Sequence, residues 1–540
     1  MDEIYDFVVI GAGFGGSITA CRLAQGGKSV CILEQGRRWK NDEFPRTTGQ
    51  FRKGLWDPKE TYGFIQYRAF KRLDVIQGCG VGGGSLVYFN VHLRPPDEIF
   101  NQSSWPENIS LNTMEPYYSL VKDMLDAVPL TPPKGYELPP KTEAFFDAAE
   151  GAGKETKLVD IAVYTGPDRN APHGDRTQSA CTYSGNCLIG CNVYAKNTLD
   201  LNYIPLAEEN GAQIYPLHMV YKISQEPDEG YRVYARRLDE EQHGQWEEVS
   251  FVGKQVIIAA GTLGSTELLL RCRDEYNTLS NISQKLGECF SINGEMIFAG
   301  TLFEDREVEP GYGPSITSYA DCSTANNKII IEDLGFPTPL LWYLEGILPS
   351  DTRLSRLARF LKIYLLQSIG IRNRSSRFSE ELDAITSGER TTRFLPYLGL
   401  GTDASDGILY LRDGSIDIRW SHRGSRLMYK ELVQAMKALS KAANGKYFAS
   451  PLWRWPLRKL LVAHPLGGCI MGNSSQDSVV NHNGEVWNYP GLYVADGSVI
   501  PSALSVNPSM TIGAIGERTA FWILHNREMQ LDDSETPQKN

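Results

Sequence analysis

A glycine-rich run near the start of the chain has the spacing of a phosphate-binding turn. Residues 11–16, with the sequence GAGFGG, lie between a strand pattern that ends at Ile10 and a helix predicted to reach Gln25. Gly11 allows the tight turn, Gly13 lets the backbone approach a pyrophosphate, and Gly16 lets helix and strand pack closely. The N-terminus of the helix then offers free N–H groups and a positive dipole end to an anion.

An acidic residue follows the second strand pattern. Residues 29–33 form this apolar strand, and Glu34 comes directly after it. A carboxylate in this place accepts hydrogen bonds from ribose hydroxyls and repels a 2′-phosphate, which disfavours NADP. Because strand, turn, helix, strand and acid follow in the required order, the pattern predicts a dinucleotide site rather than an ordinary flexible turn. It does not separate FAD from NAD.

Two polar residues near the C-terminus have types suited to catalysis. His464 follows the apolar run 460–463 and precedes Pro465, and its imidazole could act as a base near neutral pH. A single histidine here could equally be a core residue. Asn507 and Pro508 open a helix predicted over 509–524, where asparagine is a favoured N-cap. The same helix N-terminus could stabilise negative charge in a site.

Adjacent carboxylates end an apolar strand pattern at residues 329–331. Glu332 and Asp333 follow that strand, and their adjacency leaves open which of them faces the interior. A buried carboxylate would have a raised pKa and could move a proton, whereas an exposed one would be an ordinary strand end.

Length and composition limit the classes of protein. A chain of 540 residues is too long for one core, so two domains are expected. The hydrophobic fraction of 41% and charged fraction of 22% are typical of a globular protein, and the net charge of -11 argues against a nucleic-acid partner. We predict neither an export signal nor a membrane-spanning helix, and the ten cysteines are expected to be reduced thiols in the cytoplasm.

Two further patterns have more than one interpretation. Cys181, Cys187 and Cys191 resemble a metal-binding run, but no fourth ligand stands nearby, so we predict packed thiols and no metal.

Residues 352–374 alternate leucine and phenylalanine with arginine and lysine. This segment is typical of a helix packed on its own domain. The alternative hypothesis is a peripheral contact with an anionic membrane.

Several motifs together resemble the glucose–methanol–choline (GMC) oxidoreductases. They are GVGGGSLV at 80–87, HPLGG at 464–468, GLYVADGS at 491–498 and VNP at 506–508. Among these, HPLGG and VNP are most similar to the motifs of the bacterial cholesterol oxidases. Segments 195–200 and 401–407 also resemble segments found in proteins of this group, so the resemblance runs from residue 6 to residue 518.

The resemblance implies an α/β fold of two interleaved domains. A Rossmann-type FAD-binding domain would comprise residues 1–95, 196–295 and 456–525. An α+β substrate-binding domain, built on a large antiparallel sheet, would comprise 96–195 and 296–455. The composition of residues 526–540 predicts a disordered tail.

The resemblance also implies FAD as the cofactor. Besides Gly11, Gly13, Gly16 and Glu34, the positions that match the family's FAD contacts are Gly80, Gly84, Ser85, Asn90, Val91, Val220, Asp496, Ser509 and Met510. Some members attach FAD through a histidine just after the glycine-rich loop. Val87 occupies that place here, so we expect noncovalent FAD.

The implied activity is oxidation of a CH–OH group by hydride transfer to flavin N5. The substrate would be a hydrophobic alcohol, sterol-like or long-chain, and the electron acceptor O2 or a quinone. His464 would be the base, Asn507 would orient the substrate oxygen, and Glu332 would isomerise a product double bond. The alternative is a non-redox or light-driven flavoprotein of the same fold, a lyase or fatty-acid decarboxylase acting on a lipid. The sequence does not predict the oligomeric state.

Overall fold

The computed structural model describes residues 3–226, 230–337, 391–453 and 459–530. The amphipathic segment 352–374 lies outside these residues, and its predicted helix and membrane contact stay predictions. No helix in the described part of the chain is long and apolar enough to cross a membrane.

The described chain contains eight α-helices and 24 β-strands. The helices are α1 (Phe14–Gln25), α2 (Asp97–Phe100), α3 (Leu111–Met124), α4 (Pro140–Gly151), α5 (Tyr203–Glu209), α6 (Gly261–Leu270), α7 (Arg426–Ala442) and α8 (Ser509–His525). The strands are β1 (Ile4–Ile10), β2 (Val30–Leu33), β3 (Trp56–Asp57), β4 (Thr61–Tyr62), β5 (Ile65–Ala69), β6 (Leu73–Gly78), β7 (Val128–Pro129), β8 (Thr156–Leu158), β9 (Asp160–Ile161), β10 (Arg169–Asn170), β11 (Thr177–Gln178), β12 (Gln213–Tyr215), β13 (His218–Glu226), β14 (Gly230–Leu238), β15 (Trp246–Ile258), β16 (Met296–Leu302), β17 (Ser318–Asp321), β18 (Ile329–Asp333), β19 (Phe394–Gly401), β20 (Ile408–Arg412), β21 (Ser415–Arg419), β22 (Lys446–Phe448), β23 (Leu460–Val462) and β24 (Leu492–Val494).

A parallel sheet forms the first layer. Its strands lie in the order β12-β2-β1-β15, and β24 also pairs with β15 in parallel. All four residues of β2 and the last four of β1 are buried, as expected for parallel strands covered on both faces. Helix α1 packs between α5 and α8 on this sheet. The first half of β15 extends beyond the parallel part and pairs with β14 and then β13 as an antiparallel ribbon.

A six-stranded antiparallel sheet forms the second layer. Its order is β22-β16-β19-β18-β17-β8, and helices α4 and α7 pack against it. Every residue of β18 and β19 is buried, so the centre of this sheet belongs to the core. A Rossmann-type sheet beside a large antiparallel sheet confirms the predicted fold class.

A small three-stranded sheet joins the C-terminal part of the chain to the glycine-rich loop. Strand β23 pairs in parallel with β6, with Leu460 opposite Leu73 and Val462 opposite Val75. Because the glycine-rich loop follows β6 and His464 follows β23, both segments emerge at the same edge of this sheet.

The end of the described chain is tied to helices α3 and α8. The backbone N–H of Met529 donates to the Tyr117 hydroxyl at 2.9 Å, and Glu528 forms an ion pair with Arg518. Residues 526–530 of the predicted tail therefore make specific contacts, while 531–540 lie outside the described residues.

Candidate functional site

A cavity of about 480 Å³ opens where the two layers meet. Three groups of residues line it. The first is Leu33, Glu34, His218, Met219 and Val220; the second is Gly11, Gly13, Gly15 and Asp496; the third is Gly84, Val91, His464, Asn507 and Ser509. Predicted site residues from distant parts of the sequence are thus brought together around one space.

The turn between β1 and α1 presents open backbone donors to this cavity. Gly11 has φ +101°, and a Cβ there would lie 2.4 Å from the carbonyl oxygen of Ala259. Gly13 is the N-cap of α1, no side chain caps the helix, and its first turn carries no acidic residue. The N–H groups of that turn are therefore available to an anion. Gly16 lies behind the turn, where a Cβ would meet the Gly11 oxygen at 2.0 Å, so it serves close packing.

Glu34 lines the cavity, but its carboxylate oxygens already accept hydrogen bonds from backbone N–H groups. Oε2 accepts from the N–H of Ala12 at 2.9 Å, and Oε1 accepts from the N–H groups of Gly36 and Gly80 at 2.9 and 3.0 Å. Burial raises the pKa of Glu34, and the three hydrogen bonds oppose that rise. Glu34 thus holds the first turn and the glycine-rich loop together, and Oε2 keeps accepting capacity for a ribose hydroxyl.

The glycine-rich loop forms one wall of the cavity. Gly84 lines it, and a Cβ at this position would meet no protein atom within 4 Å. Ser85 lies behind the wall, where Oγ donates to the Gly82 carbonyl oxygen at 2.7 Å and accepts from the Leu199 N–H at 3.1 Å. The loop is thus anchored on one side and open on the other.

Residues 90 and 91 continue this wall. Asn90 is fully buried at φ +68°, and neither atom of its side-chain amide has a hydrogen-bond partner. Val91 lines the cavity, and its carbonyl oxygen accepts from Ser509 Oγ at 2.9 Å. That bond links the loop to the first turn of α8. A buried amide without partners is rare in a protein interior, and it lies next to the lining residue Val91.

Asp496 binds protein groups with both of its oxygens. Oδ2 accepts from the Gly261 N–H and Ser265 Oγ at 2.9 and 2.5 Å, and Oδ1 accepts from the N–H and Oγ of Ser498. Burial raises the pKa of Asp496, while these bonds oppose the rise. The carboxylate fixes the N-terminus of α6 against the cavity.

His464 lies above a buried carboxylate that the sequence did not single out. Its Nδ1 is 3.3 Å from Glu295 Oε1, an ion-pair distance without hydrogen-bond alignment. The other oxygen, Oε2, accepts from the backbone N–H groups of Ala463 and His464 at 2.8 and 3.0 Å. Glu295 is 0% exposed. It follows an irregular loop with no apolar periodicity, so the sequence carried no signal for it.

Asn507 faces the site instead of capping a helix. The N-cap of α8 is Pro508, and Asn507 Nδ2 donates to Glu332 Oε2 at 3.3 Å. Asn507 Oδ1 and Glu332 Oε1 have no protein partner. The expectation that Asn507 caps the helix is therefore wrong, because its amide is engaged by the carboxylate of the antiparallel sheet.

The strand register assigns different partners to Glu332 and Asp333. Successive side chains of β18 point to opposite faces. Glu332 meets Asn507, and Asp333 forms an ion pair with the buried Lys141 and accepts from the Thr317 N–H at 2.9 Å. Burial alone would raise the pKa of Asp333, but Lys141 lowers it below its usual value. The sequence left this choice open, and Glu332 is the carboxylate at the site.

Glu332 is held largely in its neutral form. Burial, reinforced by the charges of Asp333 and Glu295, raises its pKa to about 8 against the opposing hydrogen bond from Asn507. It is not among the cavity-lining residues and reaches the cavity through Asn507. A carboxyl group of this kind can both donate and accept a proton near neutral pH.

A bulge in β16 places two apolar side chains in the cavity. Ile297 and Phe298 both line it, because the pairing with β19 shifts register between Ile297 and Ala299. Phe298 has φ +65° and packs edge-on against Phe336 at 5.2 Å. Bulges of this kind re-aim side chains beside active sites. The strand pattern gave no sign of it.

The predicted residues thus divide into two sets. Those that line the cavity are Gly11, Gly13, Glu34, Gly84, Val91, Val220, Asp496, Ser509, His464 and Asn507. The others lie behind this lining: Gly16, Gly80, Ser85, Asn90, Met510 and Glu332. The second set holds the first in place through backbone donors, close packing and hydrogen bonds.

The cysteine run lies in a partly buried loop. Cys181, Cys187 and Cys191 are free thiols of intermediate exposure. In the part of the chain that the structure describes, no group of three or more His, Cys, Asp or Glu residues is arranged to hold a metal ion.

These features fit FAD. The free N–H groups of α1 suit a pyrophosphate, and Gly84 leaves room for a flat ring system. Val87, at the position where a histidyl link would form, also lines the cavity and offers no nucleophile.

Comparisons with known proteins agree with this geometry. Two family models described as GMC oxidoreductase match residues 5–273 and 411–516. A cholesterol oxidase of Mycobacterium tuberculosis is 30% identical over 96% of this chain and 91% of its own length. One of Acinetobacter baumannii is 29% identical over 96% of this chain and 94% of its own. A long-chain-alcohol oxidase of Arabidopsis thaliana is 25% identical, covering 94% of this chain and 67% of its own.

Solved structures show the same fold. Formate oxidase of Aspergillus oryzae superposes with a TM-score of 0.64 at 14% identity, over 97% of this chain and 99% of that chain. Pyridoxine 4-oxidase from Mesorbium loti gives a TM-score of 0.63 at 15% identity, over 96% and 98%.

Proposed function

This chain belongs to the GMC oxidoreductase family, and we propose that it oxidises a hydrophobic alcohol, sterol-like or long-chain, with O2 as the electron acceptor. As a family member it is an FAD-dependent oxidoreductase that acts on CH–OH donors of small-molecule substrates. The finer assignment is supported by one observation: His464 and Asn507 line the same cavity as the apolar side chains Ile297 and Phe298.

The apolar part of the cavity lining supports an apolar substrate. It includes Phe89, Leu188, Ile297, Phe298 and Ile512. Transfer of apolar surface from water into such a lining is favourable by roughly 25 cal/mol per Å². A polar polyol would lose hydrogen bonds with water there that these side chains cannot replace. The names of the relatives, cholesterol oxidase and long-chain-alcohol oxidase, support the same class of substrate and O2 as acceptor.

The residues of the site have different roles in the proposed reaction. FAD, when bound, supplies the acceptor for the hydride. The imidazole of His464 takes the hydroxyl proton, because it lines the cavity with Asn507 and an imidazole is suited to accept a proton near neutral pH. Asn507 orients the substrate oxygen through its free Oδ1 or its Nδ2, and the helix N-terminus behind it stabilises negative charge.

Glu332 is proposed to act on the product. Oxidation of an alcohol with a nearby double bond gives a β,γ-unsaturated ketone, whose α-proton is acidic. A buried carboxyl group with a pKa raised to about 8, bonded to Asn507, can remove that proton in its ionised form and return it at another carbon. Burial and the hydrogen bond support this role.

Anaerobic stopped-flow measurement tests the proposal. The oxidised holoenzyme is mixed with cholesterol, a long-chain primary alcohol, a short alcohol or glucose, and the flavin absorbance near 450 nm is followed. We expect rapid bleaching by one of the first two only, and H2O2 on admission of air. Bleaching by glucose alone, or by none of the four, would contradict the proposal.

Two variants test the assigned residues. His464→Ala should retain FAD and lose about 10²-fold or more in reduction rate, as expected on loss of a general base. Asn507→Ala should slow reduction and change the flavin spectrum. The matched control is Ile512→Val, which lies in the lining but carries no polar group. Near-normal reduction in both polar variants would refute their roles.

A further inference from the structure

We propose that Glu295 is the positioning residue of His464: its carboxylate holds Nδ1 of the imidazole and leaves Nε2 to take the substrate proton. The inference rests on the proposed function, since it takes His464 as the base. In the step concerned, the O–H bond of the alcohol breaks and its proton goes to Nε2, the C–H hydrogen leaves with its electron pair as a hydride that bound FAD would accept, and a C=O double bond forms. The imidazolium that forms lies against the negative charge of Glu295.

The two oxygens of Glu295 have separate tasks. Oε2 accepts from two consecutive backbone N–H groups, Ala463 at 2.8 Å and His464 at 3.0 Å. Oε1 lies beside the ring of the same histidine, 3.3 Å from Nδ1. One carboxylate thus contacts both the backbone and the ring of His464 and is placed to set the orientation of the imidazole. A carboxylate at Nδ1 selects the tautomer with its proton on that nitrogen, so Nε2 is the acceptor.

A second carboxylate keeps Glu295 in place. Asp403 accepts from Ser291 Oγ at 2.8 Å and from the backbone N–H groups of Ile292 at 2.9 Å and Gly294 at 3.2 Å. Gly294 has φ +60°, and a Cβ there would lie 2.3 Å from the carbonyl oxygen of Gly401. Residues 291–295 therefore form a rigid loop, which we call the support loop.

The support loop also holds the segment that carries Asn507. Asn293 Nδ2 donates to the Val506 carbonyl oxygen at 2.7 Å, and its Oδ1 accepts from the N–H groups of Leu504 and Ser505 at 2.8 and 2.9 Å. Both polar residues of the site thus depend on one loop. Asn293 holds one segment with a neutral amide, whereas Glu295 holds the other with a carboxylate. A neutral amide would suffice to accept the backbone hydrogen bonds alone. The carboxylate of Glu295 therefore indicates a second interaction, with the imidazole ring of His464.

The other ionisable groups near Glu295 are either neutral or hydrogen-bonded elsewhere, so Glu295 is the group that pairs with the imidazole of His464. Glu332 and Tyr429 interact electrostatically with it, and Asp403 interacts with Tyr429. Burial raises the pKa of Glu332 to about 8 and that of Tyr429 well above its usual value, so both are neutral at pH 7. Asp403 is occupied by its backbone donors. Among the described residues, the ion pair of His464 is with Glu295.

The test compares Glu295→Gln with Asp403→Asn in the holoenzyme. The side-chain amide of the Glu295→Gln variant would keep an oxygen for the two backbone N–H groups and lose the charge, whereas Asp403→Asn weakens the support loop without touching the ring. Two measurements are made: the pH profile of flavin reduction, and NMR titration of 13C-labelled histidines, with the His464 signal assigned by its loss in His464→Ala.

For Glu295→Gln we expect reduction at least tenfold slower with little change in KM. We also expect the acid limb of its pH profile, and the His464 NMR titration, to move down by about one pH unit, because an opposite charge within 4–6 Å favours the protonated ring by that much or more. Glu295→Asp should restore the wild-type midpoint in part. For Asp403→Asn we expect a lower melting temperature with both midpoints unchanged.

Equal NMR titrations in wild type and Glu295→Gln would overturn the inference and leave Glu295 as a backbone support only. The same shift in Asp403→Asn would overturn it too, since loss of loop order would then explain the effect. The NMR result does not depend on turnover. If no alcohol reduces the flavin, the proposed function fails while the titration still decides the role of Glu295.

Discussion

Replacing Glu332 by glutamine should make the protein more stable, and increasingly so as the pH rises. Burial raises the pKa of this carboxyl from 4.5 to about 8, so the folded protein keeps the proton that the unfolded chain releases. The stability associated with the neutral carboxyl is fully present below pH 4.5. It is lost progressively as the pH rises through the folded-state pKa of about 8 and changes little above it. Glutamine has the same shape and does not ionise.

The size of the effect follows from the two pKa values. Each pH unit between them corresponds to about 1.4 kcal/mol of unfolding free energy, and the whole interval to about 5 kcal/mol as an upper value. The difference between Glu332→Gln and wild type should therefore be small at pH 5 and grow by about 1 kcal/mol or more per unit up to pH 8. In a protein of this size that widens the gap in melting temperature by several degrees.

The measurement is thermal unfolding of both holoenzymes at half-unit steps from pH 5 to 9. Asp333→Asn is the matched control, since it changes the next residue on the other face of the strand. Removing that carboxylate leaves Lys141 buried without its partner, which should destabilise the protein by about 3–5 kcal/mol. A gap between Glu332→Gln and wild type that stays constant from pH 5 to 8 would refute the assignment of a neutral Glu332.

Two further predictions concern the cofactor. Acid precipitation should leave FAD in the supernatant, because Val87 cannot form a covalent link; a pellet that stays yellow would contradict this. Gly84→Ala should fold with an unchanged apoprotein melting temperature, because its Cβ meets no protein atom within 4 Å, yet bind FAD at least tenfold more weakly in a flavin-fluorescence titration. Equal affinity for FAD would show that Gly84 does not face the ring.

The β1–α1–β2 unit could be predicted well because its constraints are local. The turn at Gly11, the apolar strands and the acidic residue after β2 are all determined within about thirty residues of chain. The first residue of a helix is harder to predict. Helix α1 begins at Phe14, and the N-cap of α6 is Ala260. In both cases a glycine-rich turn passes into the helix without a capping side chain, so the usual marker of a helix start is absent.

The proposed catalytic residues could be predicted only where they belong to a recognisable sequence motif. His464 and Asn507 belong to such motifs. Glu295 does not, because its role depends on a pairing between chain segments about 170 residues apart. Phe298 faces the cavity because of a bulge, and an apolar strand pattern contains no information about a one-residue shift in register. Glu332 was named with Asp333 as an alternative, and only Lys141, far away in sequence, decides between them.

The site contains two buried carboxyl groups that differ in their hydrogen-bond partners and in the charges around them. Glu332 has one hydrogen bond, from Asn507, and lies near two other carboxylates, so burial keeps it protonated near pH 7. Glu295 accepts two backbone N–H groups with one oxygen, and its other oxygen lies 3.3 Å from Nδ1 of His464. Such a difference in surroundings is how one site assigns different roles to two carboxyl groups. A charged Glu332 beside Asn507 would repel the alkoxide that develops during oxidation, whereas a charged Glu295 behind His464 stabilises the proton that the ring receives. We infer that oxidation needs Glu332 neutral, and that its ionised form is of use only after the ketone has formed.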